Sequence, residues 1–365
     1  MSRYDGLIIP RSYSDYINKT DAATLSQALQ LPNVMDSTPT ENSNRPVMSD
    51  GLYTALAGKQ QTLKFDTIPT KDSNNPVSSD GLYTALGEMF IHNIPRLVPK
   101  DITAYITDGT FWKRLAGING YALFDDIYVG DYFKMSRAIS AYERTGQYQA
   151  TGSQYVTIAG LDTMMNNGDQ GNGVDYHHAV MVPGQGFDGT QHFGRSRMNA
   201  TITTEGGYKS SEMNTHVLGG VVSAGSTAAD ATINQQLYAE FGAHLKTTRE
   251  LVSNAINATG YNRLGSATGC ASNWEWISAQ SVSMSEIEVY GSISWSSAGY
   301  DTGNANIQLP LFAFSKLAQS NRSSYWWLKD IASAGDFCIA GSNGRAYYSG
   351  AAYANNFVRP RFIIA

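Results

Sequence analysis

Apolar residues recur in two matching clusters early in the chain, Leu52, Tyr53 and Leu56, then Leu82, Tyr83 and Leu86, each at the i, i+1, i+4 spacing of one helical face. They close a repeat: residues 36–56 return at 66–86 with 15 of 21 positions identical and a period of 30. Each copy opens as Asn- and Ser-rich chain with two prolines (Pro39 and Pro46, then Pro69 and Pro76), which prevent helix and bias the preceding residue toward extended backbone. Ser49 and Ser79, or the Asp after each, can accept the free N–H groups of a first helical turn. A helix of about two turns with one apolar stripe is unstable alone, because nucleation is costly and nothing covers the stripe. In the second copy Leu82, Leu86 and Met89 step by four and three, the spacing of a coiled-coil seam, while Leu63 and Phe65 flank Lys64 as in a short strand. The expectation is association of identical chains about an axis over residues 36–94. Residues 1–35, with a weak helical stretch at Asp21–Leu31, precede it.

From about residue 95 the repeat stops and a mixed pattern begins. Apolar runs and alternations predict strands at Asp126–Met135, Gln154–Leu161, Ala179–Pro183, Ile277–Ser283, Phe337–Ala340 and Val358–Ala365. Helical spacing predicts Thr110–Ala116, Ser211–Leu218 and Ile233–Ile256, the last with Leu237, Phe241, Leu245 and Val252 near one face. Short strands among Gly- and Asn-rich loops such as 166–173 point to one α+β domain over 95–365.

Composition narrows the function. Charged residues are 16% of 365, against about 25% in ordinary domains, and the net charge is −5 with no long basic run. The electrostatic footprint for a phosphate backbone is missing, so nucleic acid is not an expected partner. Uncharged polar residues replace the missing charge, and 22 tyrosines offer flat amphipathic contact area of the kind found in paratopes and sugar-binding faces. The start, Met1 to Gly6, has no apolar leader core, and no run of about 18 apolar residues occurs anywhere. These features predict a chain made and folded in a cytoplasm without membrane insertion. Cys270 and Cys338 are too few for a disulfide framework and too far apart for a zinc knuckle, leaving one disulfide or two buried thiols open.

Two stretches carry a resemblance. The unit P-T-x-x-S-x-N-P-V-x-S-x-G-L-Y-x-A-L, covering 36–89, resembles the stalk repeats of phage tail-fibre and baseplate-attached proteins, which wind into trimers. The C-terminal text SEIEVYG (285–291), LPLF (309–312), YWWLKD (325–330), FCIAGSNGRAYY (337–348) and VRPRFIIA (358–365) resembles uncharacterised prophage domains of Gram-positive bacteria with a C-type-lectin-like fold, related to formylglycine-generating-enzyme modules and to the variable proteins of diversity-generating retroelements. That resemblance implies that WWL and VRPRFIIA form neighbouring core strands, with an outward ligand face between them. The residues agree in part: adjacent Trp326 and Trp327, with Leu328, read as core, since two neighbouring tryptophans rarely both stay exposed. Ser323, Ser324, Tyr325, Asn343, Tyr347, Tyr348, Tyr353, Asn355 and Asn356 are the ligand-face candidates, with alternation turning either Tyr347 or Tyr348 inward.

Catalytic signatures are sparse. His177 and His178 are adjacent in a predicted strand and point to opposite faces, and no HExxH, GxSxG or P-loop occurs. The two cysteines lack the flanking pattern of a copper-dependent oxidase, so that activity is not carried over. The pairs Asp125–Asp126 and Glu286–Glu288 could serve glycoside cleavage. Glu286 and Glu288 would share one face of a strand, where like charges are ordinarily solvated. The loop MNNGDQGNGVD at 165–175 is similar to oxygen-rich calcium loops but lacks their ligand register. The sequence thus predicts, without cofactor or metal, a homotrimeric phage receptor-binding protein. It would be joined to a virion tail or baseplate through its N-terminus and adhere to a host surface glycan or protein. A tail-associated glycan depolymerase and a structural baseplate or collar decoration are the alternatives.

Overall fold

The computed structural model describes residues 39–42, 52–57, 66, 75–76, 91–141, 151–169, 171–186, 189–224, 232–257, 270–297, 301–313 and 324–365. The chain separates into two units, Met1–Ala85 and Leu86–Ala365. In the first unit residues 52–57 are helical, as the first repeat predicts, and Leu52, Tyr53 and Leu56 are 48%, 74% and 60% exposed. At the start of the second repeat the Asp66 N–H donates to the Pro76 carbonyl (2.9 Å), and Asn75 Nδ2 donates to the Asp66 carboxylate (3.0 Å). The N-terminal stretch 1–35, the caps Ser49 and Ser79, the Leu63–Phe65 alternation and the second helix at 79–89 lie outside the described residues.

The second unit is α+β, with all its strand ladders antiparallel. Its largest sheet has the order β1-β2-β3-β10-β6, made from Tyr132–Lys134 (β1), Tyr155–Leu161 (β2), Ala179–Pro183 (β3), Ser281–Ser283 (β6) and Pro360–Ile364 (β10). β2 has a register shift at Gly160, where a Cβ would stand 2.5 Å from Thr163 Oγ1. A long hairpin joins Thr248–Asn257 (β4) to Cys270–Ala279 (β5). A third sheet has the order β7-β8-β9, from Trp326–Ile331, Asp336–Ala340 and Ala346–Gly350. Short helices fill the connections: α1 (Thr103–Thr107), α2 (Thr110–Ala116), α3 (Gly207–Ser210), α4 (Ile233–Phe241), α5 (Glu286–Tyr290) and α6 (Pro310–Ala313). Among the described residues no helix is long and apolar enough to cross a membrane.

Several predicted boundaries change for identifiable reasons. The strand expected at 126–135 shrinks to β1, because Asp126 (φ 53°) and Gly130 (φ 92°) turn the chain and Asp131 is buried as an acceptor for the N–H groups of Lys100 and Tyr128. The helix expected over Ile233–Ile256 ends at Phe241. Thr232 caps its start with a full capping box, Gly242 (φ 55°) ends it, and the chain continues as β4, with Val252 buried from a strand. Residues Met213–Gly219 wind as a π-helix where an α-helix was expected. The expected strand Ile277–Ser283 breaks at Gln280, whose amide is bonded to both backbone groups of Val222, and its two parts join different sheets.

The terminal strand β10 is buried on both faces: Phe362, Ile363 and Ile364 are apolar, Arg361 polar, and all are at most 1% exposed. It does not lie beside β7 as the resemblance implied. Its ladder partners are β3 and β6; residues just before the strand reach the start of β7, Phe357 donating to the Tyr325 carbonyl (2.7 Å) and accepting from the Trp327 N–H (3.1 Å), and the Arg359 guanidinium lying 5.3 Å from the Trp326 ring centre.

Candidate functional site

The outward face predicted from sequence is built on the β7-β8-β9 sheet. Register sets Trp327, Ile339 and Tyr347 side by side, and Trp326, Ala340 and Ala346 one step nearer the β8–β9 turn. Trp326, Trp327 and Leu328 are core, and Trp327 Nε1 donates to the Ser196 carbonyl at 2.7 Å. Tyr325, 44% exposed, therefore stands at the end of the sheet that carries the turn with Asn343 and Arg345. Asn343 is exposed, and its Oδ1 accepts from the Arg345 N–H (3.3 Å). Tyr347 and Tyr348 do not divide into one inward and one outward ring. Both are half-buried and stack at 4.9 Å, with Trp295 edge-on to Tyr348 at 4.6 Å and the Arg345 guanidinium 4.5 Å from the Tyr347 ring centre. Trp295 Nε1 donates to the Ala346 carbonyl (3.2 Å), which fixes this aromatic group against the edge strand.

Tyr353 (53% exposed) and half-buried Asn355 lie on the loop after β9 and bond to each other, Asn355 Nδ2 to Tyr353 Oη at 3.3 Å. Asn356 is a correction: it is 1% exposed, drawn inward because its carbonyl accepts the Ser196 N–H (3.2 Å), and it cannot meet a ligand. Ser324 is half-buried at φ 81°, and Ser323 lies outside the described residues. Tyr325, Asn343, Tyr347 and Tyr348 thus share one end and edge of a sheet, while Tyr353 and Asn355 occupy the loop that returns to Tyr325 through Phe357.

One buried convergence of charge is not visible in the sequence. On β10, Arg361 donates to both oxygens of Glu250 on β4 (Nη1–Oε1 3.0 Å, Nη2–Oε2 2.6 Å) and through Nε to Glu288 on α5. Lys329 of β7 lies 3.5 Å from Glu250, and the Thr248 hydroxyl donates to it at 2.8 Å. All four charged side chains are buried. Burial pushes the Glu250 carboxyl up, but Arg361 and Lys329 outweigh it and hold the group at about 2; the two glutamates in turn raise Arg361. This four-element junction borders a pocket of about 40 Å³, room for about one water, whose lining includes Asp330 and Trp274.

The Glu286–Glu288 pair is corrected by the same cluster. SEIEVYG is not a strand but helix α5, started by a capping box in which Ser285 Oγ accepts the Glu288 N–H (3.1 Å) and Glu288 accepts the Ser285 N–H (2.7 Å). Neither carboxylate is solvated: Glu286 is fully buried and accepts from the N–H groups of Ser294, Trp295 and Ser296 and from the Ser296 hydroxyl (2.6 Å). Asp125 and Asp126 are bound by Arg114 and by Arg96, Lys100 and Tyr105.

His177 and His178 precede β3 and converge on Asp162. His177 Nδ1 bonds its carboxylate (2.7 Å), which raises the histidine, and the His178 N–H donates to its other oxygen (2.8 Å). Burial lowers His178, whose Nε2 accepts the Met164 N–H (3.1 Å), so this ring is a neutral turn brace. Cys338 is a free, buried thiol, pushed well up by burial and by nearby Glu286, and thus unreactive. In the 165–175 loop both oxygens of Asp169 are taken by Arg249 (2.7 and 3.0 Å), and among the described residues no group of three or more His, Cys, Asp or Glu is placed to hold a metal. No protein-family model matches the chain, and neither a curated protein nor a solved structure matches it.

Proposed function

We propose that this chain is the receptor-binding protein of a phage tail fibre or phage-tail-like particle. In this reading residues 1–35 attach to the tail or baseplate and 36–94 form a homotrimeric stalk. Residues 95–365 form a C-type-lectin-like domain that adheres to a host surface glycan or protein without catalysis. The observation that carries the reading is the repeat helix 52–57, whose apolar residues Leu52, Tyr53 and Leu56 are exposed. Such a stripe, returning 30 residues later, needs cover from other copies. Three tips on a stalk turn later contacts into near-intramolecular ones and raise avidity by roughly 10²–10⁴, so weak Tyr and Asn contacts suffice. Of the carboxylate pairs that could serve glycoside cleavage, Glu286 and Glu288 are committed to backbone N–H groups and to Arg361, and Asp125 and Asp126 to Arg114 and to Arg96, Lys100 and Tyr105, which favours binding over the depolymerase alternative.

Light scattering of the full-length chain is expected to give three times 39.6 kDa, and Leu52→Asp with Leu56→Asp to weaken that assembly. A wild-type monomer at micromolar concentration would remove the stalk. Adhesion itself is tested by a Tyr353→Ala, Asn355→Ala variant, whose side chains are outside the core. It should lose most binding to host cells with a melting temperature within a few degrees of wild type, since neither side chain belongs to the core. Full adhesion by the folded variant would move the receptor contact off this loop.

A further inference from the structure

The β4–β5 hairpin carries a second surface with the chemistry of a ligand site. Alternation puts Trp274, Trp276 and Ser278 on one face of β5, and register puts Leu251 opposite Trp276 and Arg249 opposite Ser278. At one end Ser278 helps line an open groove of about 520 Å³ with Asp169, Gly171, Asn172, Asp175 and Arg249, a size ordinary for small-ligand sites. At the other end Trp274 lines the smaller pocket together with Asn304 and Asn306. Trp276 stands between the two, half-exposed, with its indole N–H held by Asp301 at 2.9 Å.

The groove is polar without being strongly charged. Asp169 and Arg249 neutralise each other in a two-bond pair that holds the carboxyl below its usual range, and Arg249 Nη1 also donates to Ser278 Oγ (3.1 Å). Above Gly171 (φ 79°) the space is open: a Cβ there would meet nothing within 4 Å. The walls are built before any ligand arrives. Buried Asn167 donates to the Arg249 carbonyl (2.7 Å) and accepts the Ala305 N–H (2.9 Å), and the Gly168 N–H donates to the Gly303 carbonyl (2.9 Å). Gly303 is required for that seam, since a Cβ would fall 1.9 Å from the Gly168 oxygen. A wall locked this way loses little entropy on binding.

We propose that this face is a cleft for a neutral glycan chain. The proposal rests on the adhesion reading and adds to it a second contact, with the class of its ligand. A sugar ring presents C–H groups on its faces and hydroxyls at its edge, which matches a fixed indole beside a polar groove. A polyanion would need net positive charge, which the Asp169–Arg249 pair and exposed Asp175 deny it. The positions from Trp274 to Ser278 span about 13 Å of strand, enough for more than one ring.

The test is calorimetric titration of the full-length protein with oligosaccharides of neutral hexoses and N-acetylhexosamines, and with carboxylated and sulfated counterparts. At least one neutral oligosaccharide should bind saturably, with its acidic counterpart weaker. Affinity should fall at least tenfold in Trp276→Ala and in Asn172→Trp, which fills the groove from an exposed position, and Trp276→Phe should recover part of it. No saturable neutral ligand in the panel, or equal affinity in both variants with unchanged melting temperatures, overturns the cleft. Loss of adhesion in the Tyr353→Ala, Asn355→Ala variant without neutral-glycan binding would sink the cleft and keep the adhesion reading. Neutral-glycan binding by a protein that adheres to no cell would do the reverse.

Discussion

Arg361→Met is expected to leave the protein largely insoluble, or to lower its melting temperature by about 6–20 °C. The guanidinium satisfies Glu250 with two bonds and Glu288 with a third, at a point where β4, β10, α5 and, through Lys329, β7 meet. Removing it strands two buried carboxylates beside a single ammonium, and breaking a buried pair this way costs about 3–5 kcal/mol. Against a total stability of about 5–15 kcal/mol that is a large share, and at roughly 2–4 °C per kcal/mol for a unit of this size it amounts to about 6–20 °C. Arg361→Lys keeps the charge but loses the planar fork, so it should fall between the two. If the damage comes from orphaned charge rather than lost packing, adding Glu250→Gln to Arg361→Met should recover solubility. A single Arg361→Met variant melting within 2–3 °C of wild type, by the same scan, would show that the cluster is peripheral to stability.

Why this cluster escaped the sequence is physical. In VRPRFIIA the alternation places Val358, Phe362 and Ile364 on one face, and charge at the other positions reads as solvent-facing. In the fold both faces are covered, and Arg361 meets a glutamate 111 residues away, a distance over which no local pattern speaks. What was legible had local causes. Thr110–Ala116 is helix with glycines at both ends, Gly109 and Gly117, each at positive φ, and Ala179–Pro183 is an unbroken apolar run between covered faces. The overlong helix at 233–256 arose because Leu245 and Val252 keep helical spacing while serving a 3₁₀ turn's exit and a strand; the competing signal was Gly242. The capping box Ser285-x-x-Glu288 is a readable helix start that competes with the alternation of the same residues. At the candidate ligand face, exposure of Tyr325 and Tyr353 follows from composition. Burial of Asn356 did not, because a turn-forming residue carries no sign of which way its loop is pinned.

Asp330→Asn is expected to stabilise the protein increasingly as pH rises from 4 to 7. Burial first, and then the Glu286 carboxylate, push the Asp330 carboxyl up from 3.8 to about 7, against the Glu286 N–H and the Lys329 charge, which pull it down. Glu288 on α5 adds to the upward push. Between those two values the folded protein holds a proton that the unfolded chain has released, so stability falls by about 1.4 kcal/mol per pH unit across the window and levels off above it. The stabilisation is complete below pH 4 and lost as pH rises through 7. Asparagine keeps an oxygen for the Glu286 N–H and never ionises, so its curve lacks this slope. Asp330 keeps a little surface toward the small pocket, and solvent screening there trims the full difference from about 4 to about 2–4 kcal/mol. The wild-type curve alone is a poor witness. His192, pushed down to about 4 by burial and by Arg195 and Arg359, binds its proton more tightly unfolded and adds stability as pH rises over much the same range, while Glu250 adds its share between about 2 and 4.5. The difference between wild type and Asp330→Asn cancels both. Urea midpoints at pH 4, 5, 6, 7 and 8 should therefore diverge steadily and then run parallel. Parallel midpoints throughout would mean that Asp330 is ionised in the folded protein and that Lys329 and the Glu286 N–H outweigh its burial.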